Sequence, residues 1–241
     1  MSISLAYYFS HLDAFPFPDW FNGMERAADI LAKTTPFLQT RLMEPDVREN
    51  HATMKGAAPH LYGNYYIGAG SVIYNNVTVI GPVYIGQNVT IMPGATIRPG
   101  TIISDNCYIG HGSEIKNSVF FGGARASSLA FVGDTVLGKS ARVGSGVITA
   151  NRKFDQSNAA ITLEGERCDL GTDFFGCILG DSSRLGANSV TQPGTHIGPH
   201  SWIFPMTSVR GFIPREKRVF AEQTICMTEN EIVELKSSWA R

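Results

Sequence analysis

The chain has 241 residues, of which 43% are hydrophobic and 17% charged, and its formal net charge is −1. These values fit a globular protein with a buried core and give no basic tract for nucleic acid. No hydrophobic run is long enough to span a membrane, and the start, MSISLAYYFS, lacks the basic residues of a secretory signal. We expect a cytoplasmic protein with neither nucleic acid nor a membrane as partner.

The four cysteines (Cys107, Cys168, Cys177 and Cys226) form no CxxC pair and have no histidine at metal-ligand spacing. The sequence therefore predicts neither a metal site nor a disulfide framework.

Residues 1–60 are predicted to form a helical cap. Apolar residues recur at helical spacing between Trp20 and Leu31, and Thr35 before Pro36 is typical of the first residues of a second short helix. Such a cap is expected to cover one exposed end of the domain that follows.

That domain is predicted from a six-residue period. An aliphatic residue stands at every sixth position from Ile67 to Ile115, and a small or β-branched residue follows four places after each. A helix has a period of 3.6 and a single strand a period of two, so six indicates short strands separated by tight bends. The prediction is a mainly β fold, a β-solenoid, over 61–214.

The period is interrupted twice. A second frame runs Phe131, Leu137, Val143 and Thr149, and a third runs from Leu179 to Val209 in steps of six. The distance from Ile115 to Phe131 is not a multiple of six, which predicts a loop insertion at 121–130. The polar segment 151–172 predicts a second insertion, and loops of this kind often carry function.

The end of the chain is predicted to be helical. Thr228 and Glu231 form a capping box ahead of an apolar face that ends at Trp239. We therefore expect a C-terminal helical segment over 215–241.

The motifs IRPG, EIKNSV, LAFVGD and GSGVITAN lie at characteristic spacings within residues 97–151. With the later segment LGDSSRLGANSVTQPG, they resemble the acetyltransferase half of the bifunctional enzymes that make UDP-N-acetylglucosamine. They also resemble the related archaeal sugar-1-phosphate nucleotidylyltransferases that carry an acetyltransferase domain. The resemblance covers about residues 67–214 and implies a left-handed parallel β-helix built of hexapeptide repeats.

The resemblance implies roles for particular residues. Arg98 and Lys116 fall where the family binds the sugar-nucleotide phosphate, Asn151 falls on a site asparagine, and Arg142 falls on the substrate side. Arg98 and Lys116 are one coil of three hexapeptides apart, so they should lie side by side. Neighbouring cations repel, and an anion between them would explain the pair.

The family's catalytic histidine falls on Ser128, and its neighbouring tyrosine falls on Phe131. A neutral serine cannot act as the base that takes a proton from an amine, and such a base contributes roughly 10²–10⁴ in rate. Either the amine chemistry has been lost, or another residue, such as Asp134 or His111, supplies the base.

The resemblance also implies acetyl-CoA as cosubstrate, contacted by Ser145, Ala187 and Thr207, and a homotrimer with sites between subunits. The leading hypothesis is a CoA-dependent acyltransferase, with acetyl as the expected acyl group, that acts on a sugar phosphate or nucleotide sugar. The alternative is a module that binds or senses such a ligand without turning it over, which Ser128 favours. A structural scaffold without a site is the third possibility, and the retained Arg98, Lys116 and Asn151 argue against it.

Overall fold

The computed structural model describes residues 4–43, 47–163 and 165–229. The main body is a parallel β-solenoid in which three sheets form the sides of a prism. Most strands pair with the strand one coil, or three hexapeptides, further along the chain, as Ile67 does with Ile85 and Ile85 with Ile103. The mainly β fold predicted from the six-residue period is confirmed, and it is the architecture expected of a left-handed parallel β-helix.

The strands fall into three long sheets and one hairpin. Sheet 1 contains β1 (Arg48–Asn50), β4 (Tyr65–Ile67), β7 (Val83–Ile85), β10 (Thr101–Ile103), β13 (Val119–Phe120), β16 (Val136–Leu137), β21 (Cys177–Leu179), β24 (Thr195–Ile197) and β27 (Phe212–Ile213). Sheet 2 contains β2 (Thr53–Lys55), β5 (Val72–Tyr74), β8 (Thr90–Ile91), β11 (Tyr108–Ile109), β14 (Arg125–Ala126), β17 (Arg142–Val143), β22 (Arg184–Leu185), β25 (Trp202–Ile203) and β28 (Arg218–Val219). Sheet 3 contains β3 (His60–Tyr62), β6 (Thr78–Ile80), β9 (Thr96–Ile97), β12 (Glu114–Lys116), β15 (Phe131–Gly133), β18 (Ile148–Thr149), β23 (Val190–Thr191) and β26 (Ser208–Val209). The hairpin consists of β19 (Ala160–Leu163) and β20 (Glu166–Asp169).

The predicted aliphatic frame forms the core. Every residue of that frame from Ile67 to Ile115 is at most 1% exposed. The side chains stack coil upon coil, and burying each one contributes about 1.5–3 kcal/mol. The bends between strands need left-handed backbone, which Asn88 (φ 54°) and Asn106 (φ 60°) tolerate better than most residues.

Residues 121–130, all of which the structure describes, form no insertion, because the chain continues the coil through β14. Two shortened corners break the six-residue count instead. Ile103 pairs with Phe120 and Phe120 pairs with Leu137, and each partner comes one position earlier than three full hexapeptides would place it. The six-residue spacing alone could not distinguish a corner shortened by one residue from a loop of several added residues.

This shift changes the position of Phe131. The fully buried core residue of β15 is Val132, and Phe131 is partly exposed on the outer surface of sheet 3. Phe131 is therefore available to a ligand, whereas the assignment of Phe131 to the core frame was wrong.

The excursion predicted at 151–172 is present. Leu137 pairs directly with Leu179, so the chain between these two neighbours in sheet 1 is more than twice as long as an ordinary coil. The excess leaves the solenoid and includes the antiparallel hairpin of β19 and β20. We call residues 152–176 the arm.

The N-terminal segment lies along the solenoid and does not cover its end. Helix α1 (Leu5–Tyr8) is followed by two 3₁₀ turns (Leu12–Ala14 and Pro18–Phe21) and by α2 (Asp29–Met43). Helix α2 packs on β10 and β13, the middle of sheet 1. No separate helix begins at Thr35, because α2 continues through Pro36, whose ring is on the exposed side. Proline has no backbone N–H, so the carbonyl oxygen of Ala32, four residues earlier, has no helical donor. On this exposed side of the helix it can accept a hydrogen bond from water.

Sheet 1 needs this cover because its outer surface is apolar. Its outward positions from the second coil onward are occupied by Tyr66, Tyr84, Ile102, Val119, Val136, Ile178, His196 and Phe212, which lie in register. The N-terminal segment and the arm pack on them and form a second hydrophobic core. The solenoid is thus closed to solvent on one side and presents sheets 2 and 3 outward.

The solenoid is longer than predicted at both ends. Its first strand begins at Arg48 and its last ends at Val219, compared with the predicted span 61–214. The described residues after β28 contain no helix. The predicted C-terminal helix falls largely on 230–241, which lie outside the described residues.

His196 is a polar residue in the apolar interface of sheet 1. Its ring stacks on Phe175 of the arm, with a centroid distance of 5.6 Å and an interplanar angle of 7°, and meets the edge of Tyr8. Nδ1 lies 2.9 Å from the Gly194 carbonyl oxygen. Burial lowers the pKa of His196 to about 4, although the carbonyl contact acts in the opposite direction. The ring is therefore neutral in the folded protein at neutral pH.

This burial predicts a pH dependence of stability. Between pH 6.5 and about 4 the unfolded chain binds a proton at His196 and the folded chain does not, so acidification favours unfolding. We expect the free energy of unfolding to fall through that window by up to about 1.4 kcal/mol per pH unit. His196→Phe should remove this part of the dependence while keeping the stack, as measured by urea unfolding at several pH values.

The control is His60→Phe, which replaces an exposed ring on β3. An identical pH dependence in wild type and His196→Phe would contradict the burial of a neutral histidine.

Candidate functional site

The corner between sheets 2 and 3 aligns several predicted site residues. Extending the strand register by two residues places one residue of each coil in a row: Pro93, His111, Ser128, Ser145, Ala187 and Pro205. Neighbours in the row are about 4.8 Å apart, the spacing of paired strands. We call this row the corner row. The structure therefore brings Ser128, Ser145 and Ala187 into one row.

A groove of about 380 Å³ runs beside the corner row on sheet 2. Its floor includes Phe204 and Pro205, and Ser127, Ser145 and Ala187 form its edge toward the corner. The corner glycine Gly186 permits the close stacking of coils, because a Cβ there would collide with the backbone nitrogen of Pro205.

Arginine side chains line the other edge of the groove. Arg125, Arg142 and Arg184 occupy successive coils at one outward position of sheet 2, and Trp202 follows them. Arg184 and Arg218 approach the Trp202 ring, at 5.7 and 5.5 Å from its centroid. Within the described ranges, no carboxylate forms an ion pair with any of these arginines. The groove consequently joins an apolar floor to positive charge.

His111 lies one coil before Ser128 in the corner row. Its Nδ1 is 2.7 Å from the carbonyl oxygen of Pro93, and the ring is exposed. Because a carbonyl oxygen can only accept, Nδ1 donates, and Nε2 of the neutral ring keeps its lone pair. Ser128 itself is half-buried. The imidazole absent at position 128 is thus found at the neighbouring position of the same row.

A polar cluster around Asp134 lies at the opposite edge of sheet 3, the corner that leads to sheet 1. The Asp134 side chain is only 2% exposed. It accepts hydrogen bonds from Lys116 Nζ (2.9 Å), Asn117 Nδ2 (2.7 Å) and Asn151 Nδ2 (2.5 Å). With both oxygens engaged, Asp134 fixes three side chains and is poorly placed to act as the base.

Contrary to the expectation from the sequence, Arg98 and Lys116 are not unpaired cations. Arg98 Nη1 donates to Glu114 Oε1 at 2.6 Å, and Lys116 pairs with Asp134. These carboxylates already offset the repulsion between the two cations. A phosphate bound here would compete with them, and the Lys116 pair is the better shielded from water.

Two aromatic rings border the Asp134 cluster. Phe131 lies across Gly133, where a Cβ would be 2.7 Å from Phe131 Cε1 and 2.8 Å from Asn151 Nδ2. Phe174, at the base of the arm, has Lys116 Nζ 4.2 Å from its ring centroid. Arg152 also approaches that ring, at 4.8 Å, and its Nη2 lies 3.4 Å from a carboxylate oxygen of Asp173. The base of the arm is therefore held against the predicted substrate side.

The predicted site residues fall into two groups. Arg142, Ser145 and Ala187 border the groove, whereas Arg98, Lys116, Phe131 and Asn151 lie on or beside sheet 3. Thr207 belongs to neither group, because it is 4% exposed and its hydroxyl lies 3.3 Å from the Pro205 carbonyl oxygen. A ligand on the surface cannot contact its side chain.

Sequence reasoning missed Arg184, Trp202 and Phe174. Arg184 could have been found by following the outward position of Arg142 across the arm into the next coil. Phe174 could not, because the period carries no information about where the arm folds back.

Comparison with known proteins agrees with the resemblance. Residues 79–198 match the family described as the GMPPB C-terminal domain. The bifunctional protein GlmU of Methanococcus vannielii is 28% identical over 194 residues, which cover 73% of this chain and 45% of that protein. The putative uncharacterized acetyltransferase YaiX of Escherichia coli K12 is 36% identical over 152 residues, covering 63% of this chain and 66% of that protein. The chain is a hexapeptide-repeat β-helix protein.

This hexapeptide-repeat protein spans less than half the length of the GlmU relative. Among solved structures, the acetyltransferase domain of PglB from Neisseria gonorrhoeae in complex with acetyl coenzyme A is similar at 14% identity and a TM-score of 0.40. That likeness covers 63% of this chain and 55% of the other.

No helix in the described ranges has both the length and the apolar character needed to cross a bilayer. In the same part of the chain, no three His, Cys, Asp or Glu side chains form a group that could hold a metal ion.

Proposed function

We propose that the protein transfers an acyl group, acetyl in the first instance, from coenzyme A to a sugar phosphate or nucleotide sugar. The observation that carries this proposal is the groove beside the corner row. An acyl-CoA has a phosphorylated nucleotide at one end and an uncharged chain leading to the thioester at the other. The groove offers Arg142 and Arg184 for phosphates and an apolar floor for the chain.

The corner row supplies the place for transfer. An acceptor amine must lose a proton before it attacks the thioester carbonyl, because an ammonium has no lone pair. His111 Nε2 is available to take that proton, and Pro93 orients the ring through Nδ1. The new C–N bond forms as the C–S bond breaks, and the departing thiolate takes up a proton to leave CoA as the thiol. Ser128 borders this step without supplying the base.

The acceptor is proposed to lie over sheet 3, where Phe131, Lys116 and Asn151 face it. Phe131 offers a ring without the hydroxyl that the related enzymes have at this position. Lys116 and Asn151 are held by Asp134 in fixed positions, which favours recognition by preformed geometry.

A module that binds the same ligands without turnover is the second candidate. Ser128 and Phe131 favour it, because both replace polar groups that the resemblance assigns to the reaction. The two candidates differ in two respects, because only the enzyme requires acyl-CoA in the groove and a base at position 111.

We also propose a cytoplasmic homotrimer, in keeping with the resemblance. The exposed outer surfaces of sheets 2 and 3 are available to neighbouring copies, whereas sheet 1 is covered by the chain's own N-terminal segment. Light scattering at micromolar concentration should return about three times the chain mass of 26.2 kDa. A measured mass of one chain would exclude sites shared between subunits.

Acetyl-CoA should stabilise the protein. Binding to the folded state alone adds about 2.7 kcal/mol at a hundredfold excess over Kd, which a thermal shift detects. Ala187→Phe should abolish the shift by filling the groove. Asn75→Phe places the same side chain at the equivalent corner of an early coil, away from the groove, and should leave the shift intact. An unchanged shift in Ala187→Phe would place the donor elsewhere.

His111→Asn should lower kcat with an amino-sugar phosphate by about 10²–10⁴. Asparagine can still donate to the Pro93 carbonyl, so the loss isolates the base at Nε2. Ser128→Ala should leave the rate unchanged. The contrary outcome is a nearly inactive wild type whose rate rises in Ser128→His and does not change in His111→Asn. That result would show that His111 is not the base.

A further inference from the structure

A second cavity lies between the arm and the late coils of sheet 3. It has a volume of about 800 Å³ and is lined on the arm side by Lys153, Ala160 and Thr162. On the solenoid side it is lined by Gln192, Pro193, Ser208, Val209, Arg210 and Gly211. We call it the arm cleft. It exists only because the arm folds back across the corner between sheets 3 and 1.

The arm is docked closely at this corner. Gly194 donates its backbone N–H to the carbonyl oxygens of Gly176 (3.0 Å) and Phe175 (3.2 Å). A Cβ at position 194 would lie 2.9 Å from the Ala160 carbonyl oxygen, so only glycine allows the arm to approach this far. The cleft is thus bounded by two elements in direct contact.

Lys153 and Arg210 give the arm cleft two cations. In the described part of the chain, neither forms an ion pair with a carboxylate. Asp155, two residues from Lys153, accepts the backbone N–H and the hydroxyl of Ser157 at Oδ1, and these bonds together with the Lys153 charge lower the pKa of its carboxyl. Arg98 and Lys116, by contrast, each have a carboxylate partner. Of these two pairs of cations on the outer side of sheet 3, Lys153 and Arg210 are therefore better able to bind an anion.

The remaining lining suits a carbohydrate. Thr162, Ser208 and Gln192 offer hydroxyl and amide groups, and Gln192 Nε2 lies 3.3 Å from Ser208 Oγ. Hydroxyls that both donate and accept match the hydroxyls of a sugar. Pro193 and Val209 add a small apolar surface for the face of a sugar ring.

The arm cleft and the groove are connected by one strand. Ala187 stands at the corner before β23, and Gln192 directly follows that strand. The extended chain between them spans about 16 Å at about 3.3 Å per residue. His111 lies three further coils, about 14 Å, along the corner row from Ala187, so a sugar monophosphate held in the arm cleft cannot also reach His111.

We propose that the arm cleft is a second binding site, separate from the place of acyl transfer, with Lys153 and Arg210 binding the phosphate of a phosphorylated sugar. This inference goes beyond the proposed function and names a different pair of cations from the pair that the sequence motifs indicate.

The test compares binding of glucose 1-phosphate and of glucose by calorimetry. Wild type should bind the phosphate ester and discriminate against the neutral sugar. Lys153→Gln with Arg210→Gln should weaken binding of the ester by about tenfold or more, because each lost charge-assisted contact contributes that much. Lys153→Arg with Arg210→Lys keeps both charges and should retain most of the affinity.

A charge-matched control replaces two exposed cations away from both cavities, Lys33→Gln on α2 and Lys55→Gln on β2, and should bind like wild type. A second comparison uses Arg98→Gln, which removes the cation partner of Glu114 and should also leave the affinity near that of wild type. Unaltered melting temperatures will show that each variant is folded.

Two results would overturn the inference. One is wild-type affinity for glucose 1-phosphate in the Lys153→Gln, Arg210→Gln variant. The other is a wild-type protein that does not prefer the ester to glucose. The thermal response to acetyl-CoA is measured separately, so failure of the subsite is distinguishable from failure of the proposed acyl transfer.

Discussion

The stacking of one inward-facing aliphatic side chain per strand is the constraint on which the rest of the molecule depends. It fixes the distance between coils at the spacing of paired strands, about 4.8 Å. Every outward position then repeats in register, so residues far apart in the chain form straight rows on the surface. The corner row and the arginines beside the groove are both rows of this kind. A site built from such rows is rigid because each member is fixed by its own coil.

The outer surfaces of the prism have different roles because their rows differ in polarity. The row on sheet 1 is apolar, and the N-terminal segment and arm cover it. The rows on sheets 2 and 3 carry arginine, lysine, glutamate and aromatic residues and stay in contact with solvent. The arm contacts both kinds of surface. Phe175 packs on the apolar surface of sheet 1, whereas Phe174 and Lys153 face the polar surface of sheet 3. One insertion therefore closes the fold and forms a wall of the arm cleft.

The sequence predicted most of the fold and part of the site. The period from Ile67 to Ile115 predicts which residues are buried, since a solenoid repeats the same local environment. It does not predict the shortened corners, because a count by sixes fails in the same way for a residue lost or a loop gained. It also places Arg98 beside Lys116 without showing that Glu114 and Asp134 pair with them, which depends on side-chain geometry. The position of the N-terminal segment along sheet 1 was missed because the outward apolar row repeats only once per coil, outside the six-residue frame.

The central claim is that acyl transfer takes place at the corner row, with the donor in the groove. A crystal structure of the protein grown with coenzyme A tests it most directly. The account predicts CoA along the groove, its phosphates near Arg142 and Arg184 and its sulfur at the His111–Ser128 end of the row. Coenzyme A bound away from the groove, or lying in it with the sulfur at the Trp202 end, would contradict the account.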